Sequence, residues 1–363
     1  MTTKPYVPYQ AEEPWLPFSE ALLSWDEAFH HLMLNDHIRM IAYKAAIDEV
    51  IKPGDTVLDL GTGTGILGLW ALEAGAGKVY GIDMDPEVLA IATSVMAQNG
   101  FEDRFVPINK LSFDVDLPER VDVLISEIMG NMGDNEGFQP ILNDAIERML
   151  KPGGKCIPLE VESHIVPVAA CGAHEAVSKG DVATINDSYS LDPLLESHGV
   201  NSRFDMYYDA ILPRATYLGS PALLKRYQDD WIQSSAYTEA RTFDINTDGL
   251  LTGFKVYFVA CLSPKRVLDI SGDDILGRTT SDSWKHAYLP IAEPISVKCG
   301  DRLSLEFSRF YPIKEEGVTD RFRQGYEWQG SVKRHGDLVA MFRQATGARV
   351  LVGTAANATV HEE

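Results

Sequence analysis

"TVLDLGTGTGILGLWALEAGAGKVYGIDMD", residues 56–85, decides the fold. An apolar stretch of five residues runs into a turn with glycine at 61, 63 and 65, then a helical stretch, then a second apolar strand that ends in acid. Strand, glycine turn, helix and strand in that order are the building unit of a parallel sheet. The alternation continues outward. Residues 86–98 read as a helix with Pro86 in its first turn and Asn-Gly as its stop. Residues 104–110 and 121–127 read as strands, 138–150 as a helix, KPGG at 151–154 as a turn, and KCIPLE as a returning strand. Upstream, residues 25–50 carry apolar side chains at helical spacing; residues 1–20, rich in Pro, Tyr and Glu, are expected to lie over the surface.

The period changes near residue 160. Residues 161–169, 253–262, 285–291, 301–310 and 326–334 alternate with period two, as mostly antiparallel strands do. Residues 172–235 are mixed, with helical patches and many aromatics, among them Phe204, Tyr207, Tyr208, Tyr227 and Trp231. That stretch is too long and apolar for a simple loop, and it reads as a docking or dimerisation arm. The expected class is α/β: an N-terminal segment over 1–51, a Rossmann-like domain over 52–158, a mostly antiparallel β domain over 159–345, and a disordered tail over 346–363.

Composition narrows the function. The formal net charge of −21 argues against a polyphosphate partner such as nucleic acid and suits a cationic substrate. No apolar run is long enough to cross a membrane, and the first fifteen residues hold no apolar signal core, so a cytoplasmic protein is expected. Cys156, Cys171, Cys261 and Cys299 are scattered, with no CxxC, and each is expected to be a small buried side chain; His30 and His31 have no metal-ligand partners at suitable spacing, so no metal is expected.

Gly61, Gly63 and Gly65 let the backbone turn tightly and approach a ligand closely. A dinucleotide loop takes GxGxxG; this one is GxGxG, with Asp59 before it. Asp83 ends the second strand, 22 residues after Gly61, where an acid accepts ribose hydroxyls. Asp59 beside the loop can face an amino group. Together they describe a ribose-bearing, amino-acid-bearing cofactor, S-adenosylmethionine. A nicotinamide dinucleotide is the minor rival, and a turn that merely packs strand on helix is the plain alternative. Met84 and the stretch Leu111, Ser112, Phe113 are candidate walls for an adenine.

"VDVLISEIMGNMGDNE", residues 121–136, sets Glu127 at a strand end and Glu136 nine positions later. Two carboxylates in one crevice repel, and one pKa should rise unless a cation lies between them. The D/N-P-P-Y/F motif that holds an amide or aromatic amine is missing here. A guanidinium, with five donors in fixed directions, matches two acceptor-only side chains. An arginine or lysine of the protein itself filling that gap would contradict this reading.

The segment from Glu127 to Glu136, with the glycine loop, GIDMD, LKPGG and Ser283-Trp284-Lys285, resembles the protein arginine methyltransferase family over about residues 32–334. The resemblance implies a methyltransferase sheet, a β-barrel domain with an inserted helical dimerisation arm, and a homodimer. It also implies that Arg39 grips the cofactor carboxylate and that Glu127 touches both cofactor and substrate. Met33, Phe138, Ser283 and Trp284 would lie on the substrate side. Three departures stand out. EALLSWDEAFHH at 20–31 replaces a Tyr-rich helix, Ser283 replaces a histidine that would pair with Asp36, and Phe138 replaces a frequent methionine. They touch the rim and a proton relay and spare the cofactor loop and the two acids. The implied substrate is free L-arginine or a small guanidino compound, as in bacterial natural-product biosynthesis of the streptozotocin type. Peptidyl arginine is the runner-up, and a non-catalytic dimeric binding subunit is the alternative of another class.

Overall fold

A computed structural model describes residues 9–17, 32–184, 190–227, 236–311 and 324–346. Five strands form one parallel sheet: β1 (Thr56–Leu60), β2 (Lys78–Asp83), β3 (Phe105–Asn109), β4 (Val121–Ser126) and β5 (Leu150–Ile157). Their order is β3-β2-β1-β4-β5. The central strands β1, β2 and β4 are buried along nearly their whole length, and the helices packed on the sheet are α1 (His37–Val50), α2 (Ile66–Glu73), α3 (Pro86–Gln98) and α4 (Phe138–Met149). The strand order reverses between β1 and β4, and such a reversal opens a crevice at the carboxyl ends of the strands.

α3 starts where its sequence says it should. Asp85 accepts from the amides of Glu87 (2.8 Å) and Val88 (3.4 Å), and Pro86 needs no donor there. Gly65 starts α2 at φ +81°, and a Cβ on it would lie 2.9 Å from Ala92 Cβ and 3.2 Å from Ala92 Cα. Gly65 therefore brings α2 onto α3. Gly65→Ala should lower stability by about 3 kcal/mol, from left-handed backbone strain and overpacking together. Thermal unfolding checks this, and an unchanged midpoint would contradict it.

The second half is antiparallel. One sheet holds β6 (Glu160–Val168), β7 (Tyr208–Ala210), β8 (Ala222–Tyr227), β10 (Gly249–Ser263) and β12 (His286–Val297) in the order β7-β12-β10-β6-β8. β11 (Arg266–Asp269) pairs with β10. The other sheet holds β9 (Tyr237–Asp244), β13 (Arg302–Phe310), β14 (Gly325–Arg334) and β15 (Asp337–Ala345) in the order β15-β14-β13-β9. Phe254, Val256 and Leu289 of the first sheet pack with Leu303, Phe307 and Trp328 of the second. The sheets do not close into a barrel among the described residues. Trp284, Phe258 and Tyr227 belong to the core of the parallel sheet, so the two halves share packing.

Several expectations give way. KPGG lies within β5, where a register shift against β4 and Gly153 at φ +76° accommodate it. Among the described residues of the stretch at 172–235, helix is confined to α5 (Cys171–Lys179), α6 (Leu191–His198) and short turns. Tyr207, Tyr208 and Tyr227 are fully buried core residues there, because β7 and β8 belong to the sheet. Residues 9–17 are not merely draped on the surface. Trp15 N donates to Asp209 O at 2.8 Å, Leu16 N to Ala183 O at 2.9 Å, and Leu16 is buried. Of the cysteines only Cys156 is buried; Cys261 is half-buried, and Cys171 and Cys299 are exposed. Trp231, His30, His31, the stretch 20–31 and the tail from 347 lie outside the described residues. Among the described residues no helix is long and apolar enough to cross a membrane, and no His/Cys/Asp/Glu group could hold a metal.

Candidate active site

The crevice at the strand ends encloses about 300 Å³. Gly61, Thr62 and Gly63 line it from the β1–α2 turn, Asp83 from the end of β2, and Glu127 from the end of β4. Glu136, just before α4, and Arg39 and Tyr43 of α1 add to the polar lining, as do Thr64, Asp85 and Lys110. Met33, Met84 and Ser112 line it too, with Met84 largely exposed.

Gly61 sits at φ +72° and Gly63 at +53°, and a Cβ on Gly61 would meet Ile128 Cγ2 at 3.0 Å. Asp83 Oδ2 accepts from Gly63 N at 2.8 Å, and its Oδ1 from Asp85 N at 2.9 Å. Each oxygen keeps a further acceptor site. Asp59 behaves otherwise. It is fully buried and does not line the crevice. Its Oδ2 accepts from Thr62 Oγ1 (2.6 Å) and Gly68 N (2.9 Å), tying the glycine turn to α2. Among the described residues its Oδ1 has no hydrogen-bond partner, and burial pushes its pKa up to about 6 against the lowering by Thr62 and Gly68. The expected direct contact with an amino group does not match this placement: the side chain turns beneath the loop. Gly65, Phe138, Ser283 and Trp284 also stand outside the lining. Phe138 is fully buried, edge-on to Tyr227 with ring centroids 6.5 Å apart.

The two acids do reach one crevice, and a cation of the protein is already there. The Arg39 guanidinium pairs with Glu127, and their side chains are 13% and 5% exposed. The same guanidinium lies 5.0 Å from the Trp284 ring centre, and its charge also acts on Glu136. The expectation of a gap without a protein cation therefore fails. Its physical cause is the packing of α1 beside the end of β4, a long-range arrangement that residue spacing does not reveal. Glu136 is pushed up to about 7, as a crowded acid should be, but the first cause is burial; Arg39 opposes the rise and Asp209 adds to it.

Behind the acids, Asp36 caps α1 and is fully buried. Its Oδ2 accepts from the hydroxyls of Ser281 and Ser283, the latter at 2.6 Å, and from Ser283 N at 3.2 Å. The serine at the expected histidine position thus keeps the tie to Asp36. A hydroxyl has no pKa near neutrality, so the tie holds α1 to the antiparallel half and relays no proton. Trp284 Nε1 donates to Met129 O, which supports the acid-bearing loop from behind. That loop carries a polar network: Asn131 Nδ2 donates to Asp209 Oδ1 at 2.7 Å, Asn135 Nδ2 to Asn131 Oδ1 at 3.1 Å, and Met132 N to Asn135 Oδ1 at 2.9 Å. Asn131, Asn135 and Asp209 were missed from sequence, as was Tyr43, whose hydroxyl donates to Ser126 O at 3.0 Å. The polar run Asn-Met-Gly-Asp-Asn between two acids was the available signal.

Known proteins resemble this chain in both sequence and fold. The family described as "Ribosomal protein L11 methyltransferase (PrmA)" matches residues 44–158, the stretch holding the parallel sheet. An arginine N(omega)-methyltransferase of Streptomyces achromogenes subsp. streptozoticus is 29% identical over 283 residues, covering 76% of this chain and 74% of that protein. Protein arginine N-methyltransferase 6 of Xenopus laevis is 34% identical over 145 residues, 39% of this chain and 42% of that one. The ribosomal protein arginine N-methyltransferase rmt3 of Schizosaccharomyces pombe is 27% identical over 298 residues, 77% and 53% of the two chains. The chain thus spans three quarters of the first relative's length and about half of the other two. Among solved structures, Arabidopsis thaliana protein arginine methyltransferase 10 superposes with TM-score 0.72 at 22% identity, covering 90% of this chain and 98% of that one. The Trypanosoma brucei PRMT1 enzyme-prozyme complex with AdoHcy gives TM-score 0.70 at 21% identity, covering 87% and 96%. The chain is similar in sequence to arginine N-methyltransferases over three quarters of its length, and it shares the fold of the two solved protein arginine methyltransferase structures.

Proposed function

We propose that the chain is an S-adenosylmethionine-dependent N-methyltransferase whose acceptor is the guanidino group of free L-arginine or a small guanidino compound. The carrying observation is the pair Glu127 and Glu136 on one crevice; Arg39 on Glu127 counts against it, as a competing cation that a substrate has to displace. S-adenosylmethionine fits the donor set. Asp83 offers two acceptor sites for ribose hydroxyls, the backbone at Gly61 and Gly63 leaves room for close approach, and Arg39 supplies a cation for a carboxylate. When bound, it supplies an electrophilic methyl group on a sulfonium.

The protein's part is orientation and charge. Glu127 and Glu136 hold the guanidinium by charge-assisted hydrogen bonds that fix one nitrogen in line. They draw positive charge toward the other nitrogens. Methylation of a guanidinium releases one proton, and the Glu136 carboxylate, with its pKa near 7, is placed to take it. Arg39 cannot serve the cofactor carboxylate and Glu127 fully at once, so in the working complex it yields Glu127 to the substrate.

The free-arginine reading is favoured by the Streptomyces relative and by Ser283 in place of histidine. Labelled S-adenosylmethionine with L-arginine should give methylarginine by mass spectrometry. Labelling of an Arg/Gly-rich peptide, with none of L-arginine, would move the substrate to protein. A second reading, a non-catalytic binding subunit, is favoured by Arg39 standing on Glu127 and by the loss of a titrating relay. A calorimetric titration that finds no S-adenosylmethionine binding would decide for it. We also take the chain to be a homodimer in solution, which light scattering tests.

A further inference from the structure

We propose that Arg309, in the antiparallel half, is a positioning residue for the reaction: through Asp134 it fixes the loop that presents Glu136. This rests on the role proposed for Glu136. Hydrogen bonds among Asn131, Met132 and Asn135 brace the first part of the loop, and Glu136 lies beyond them. Gly130, Gly133 and Gly137 lie within eight residues, and Gly133 and Gly137 adopt φ of +90° and +75°. Glycine there makes many backbone paths accessible.

A buried charge pair selects one path. The side chains of Arg309 and Asp134 are 0% and 1% exposed, and their charged atoms are 2.5 Å apart. The same Arg309 nitrogen donates to the Asp134 carbonyl at 3.0 Å, and Gln324 Nε2 donates to that carbonyl at 3.0 Å. The Tyr227 hydroxyl donates to Asp134 Oδ2. Tyr326 holds Gln324 by a hydrogen bond of 2.6 Å, and Tyr311 accepts from the other end of the Arg309 fork at 3.3 Å. Both the carboxylate and the carbonyl of Asp134 are thus gripped by β8, β13 and the residue that precedes β14. Two residues further on, Glu136 lines the crevice.

Stability does not account for this arrangement. A buried ion pair seldom beats two apolar residues of similar volume, because desolvating both charges offsets their attraction. What the pair adds is direction: a fork of donors aimed at one carboxylate and one carbonyl sets the position of residues 134–136. Apolar side chains would fill the space and leave the aim undetermined.

The test separates aim from stability. R309M alone leaves Asp134 buried and unpaired and should lose both folding and activity. D134L/R309M should recover the thermal midpoint to within a few degrees and keep the affinity for S-adenosylhomocysteine. Its kcat/KM for the guanidine should stay about 100-fold down, as misplacement by about 1 Å predicts. R309K, which keeps the charge and loses the fork, should fold and show an intermediate loss. Crystals of the double variant should show Glu136 displaced, a readout independent of any substrate. Wild-type kcat/KM in the double variant, or an unmoved Glu136, would overturn the inference. A wild-type chain that methylates no guanidine would instead overturn the proposed function.

Discussion

Glu136→Gln should lower kcat/KM for the guanidine by about 10³-fold and leave cofactor affinity within about threefold. The substitution keeps the shape and removes the charge. It also turns one acceptor into a donor facing a cation that has only donors to offer. Glu127→Gln should cost a similar factor in turnover, with one difference. Arg39 loses its partner on Glu127 and becomes fully available to the cofactor carboxylate, so cofactor affinity should hold or improve. Steady-state kinetics with calorimetric titration of the cofactor checks both variants. Equal loss of turnover and cofactor affinity in Glu127→Gln would contradict the role given to it.

The pH profile should carry the second large effect. The Glu136 pKa is raised to about 7, chiefly by burial. Below that pH it is a neutral carboxyl that cannot receive a cation as an anion does. log(kcat/KM) should climb with unit slope to a break near pH 7 and then level, leaving activity at pH 5 about 100-fold below the plateau. The kcat profile should break lower, because a bound guanidinium favours the charged carboxylate. Stability should run the other way. The folded chain holds protons on Glu136 and Asp59 more tightly than the unfolded chain, whose ordinary values are 4.5 and 3.8. That stabilisation is complete below those ordinary values. It is lost as pH rises through about 6 for Asp59 and about 7 for Glu136. Asp122 and Asp301, lowered chiefly by hydrogen bonds from Lys151 and Arg334, act in the opposite direction and at lower pH, below their ordinary 3.8. His286, pushed well below its ordinary 6.5, and Lys255, pushed down to about 7, both chiefly by burial, act against the loss at Asp59 and Glu136 in the same window. The prediction is therefore a difference: the thermal midpoint of the wild type relative to Glu136→Gln should fall from pH 5 to pH 8. A bell centred well below 7, or a flat activity profile, would contradict the assignment.

Local chemistry was legible in the sequence, and long-range packing was not. α3 could be bounded from residues because Asp85, Pro86 and the Asn-Gly stop act within a turn of the helix ends they define. Gly61, Gly63, Asp83 and Glu127 were readable because a parallel sheet brings all its strand ends to one edge. β7, β8, β9 and β15 all lie at sheet edges, and β7 is only three residues long. Asp59 was read as facing a cofactor amino group, but its side chain turns beneath the loop to accept from Thr62 and Gly68. Arg39 was read toward a cofactor because nothing local records that α1 sets it against the end of β4. Arg309 and Asp134 are 175 positions apart, and only the packing of one half on the other joins them.

The central claim is that two crevice carboxylates clamp a guanidinium, one of them by giving up a proton. Calorimetric titration of L-arginine into the chain saturated with S-adenosylhomocysteine, at pH 7 in buffers of differing ionisation heat, measures that proton directly. With Glu136 near 7, binding should release about half a proton in the wild type and close to none in Glu136→Gln. Arginine binding with no proton released, or with the same release in both proteins, would contradict the account.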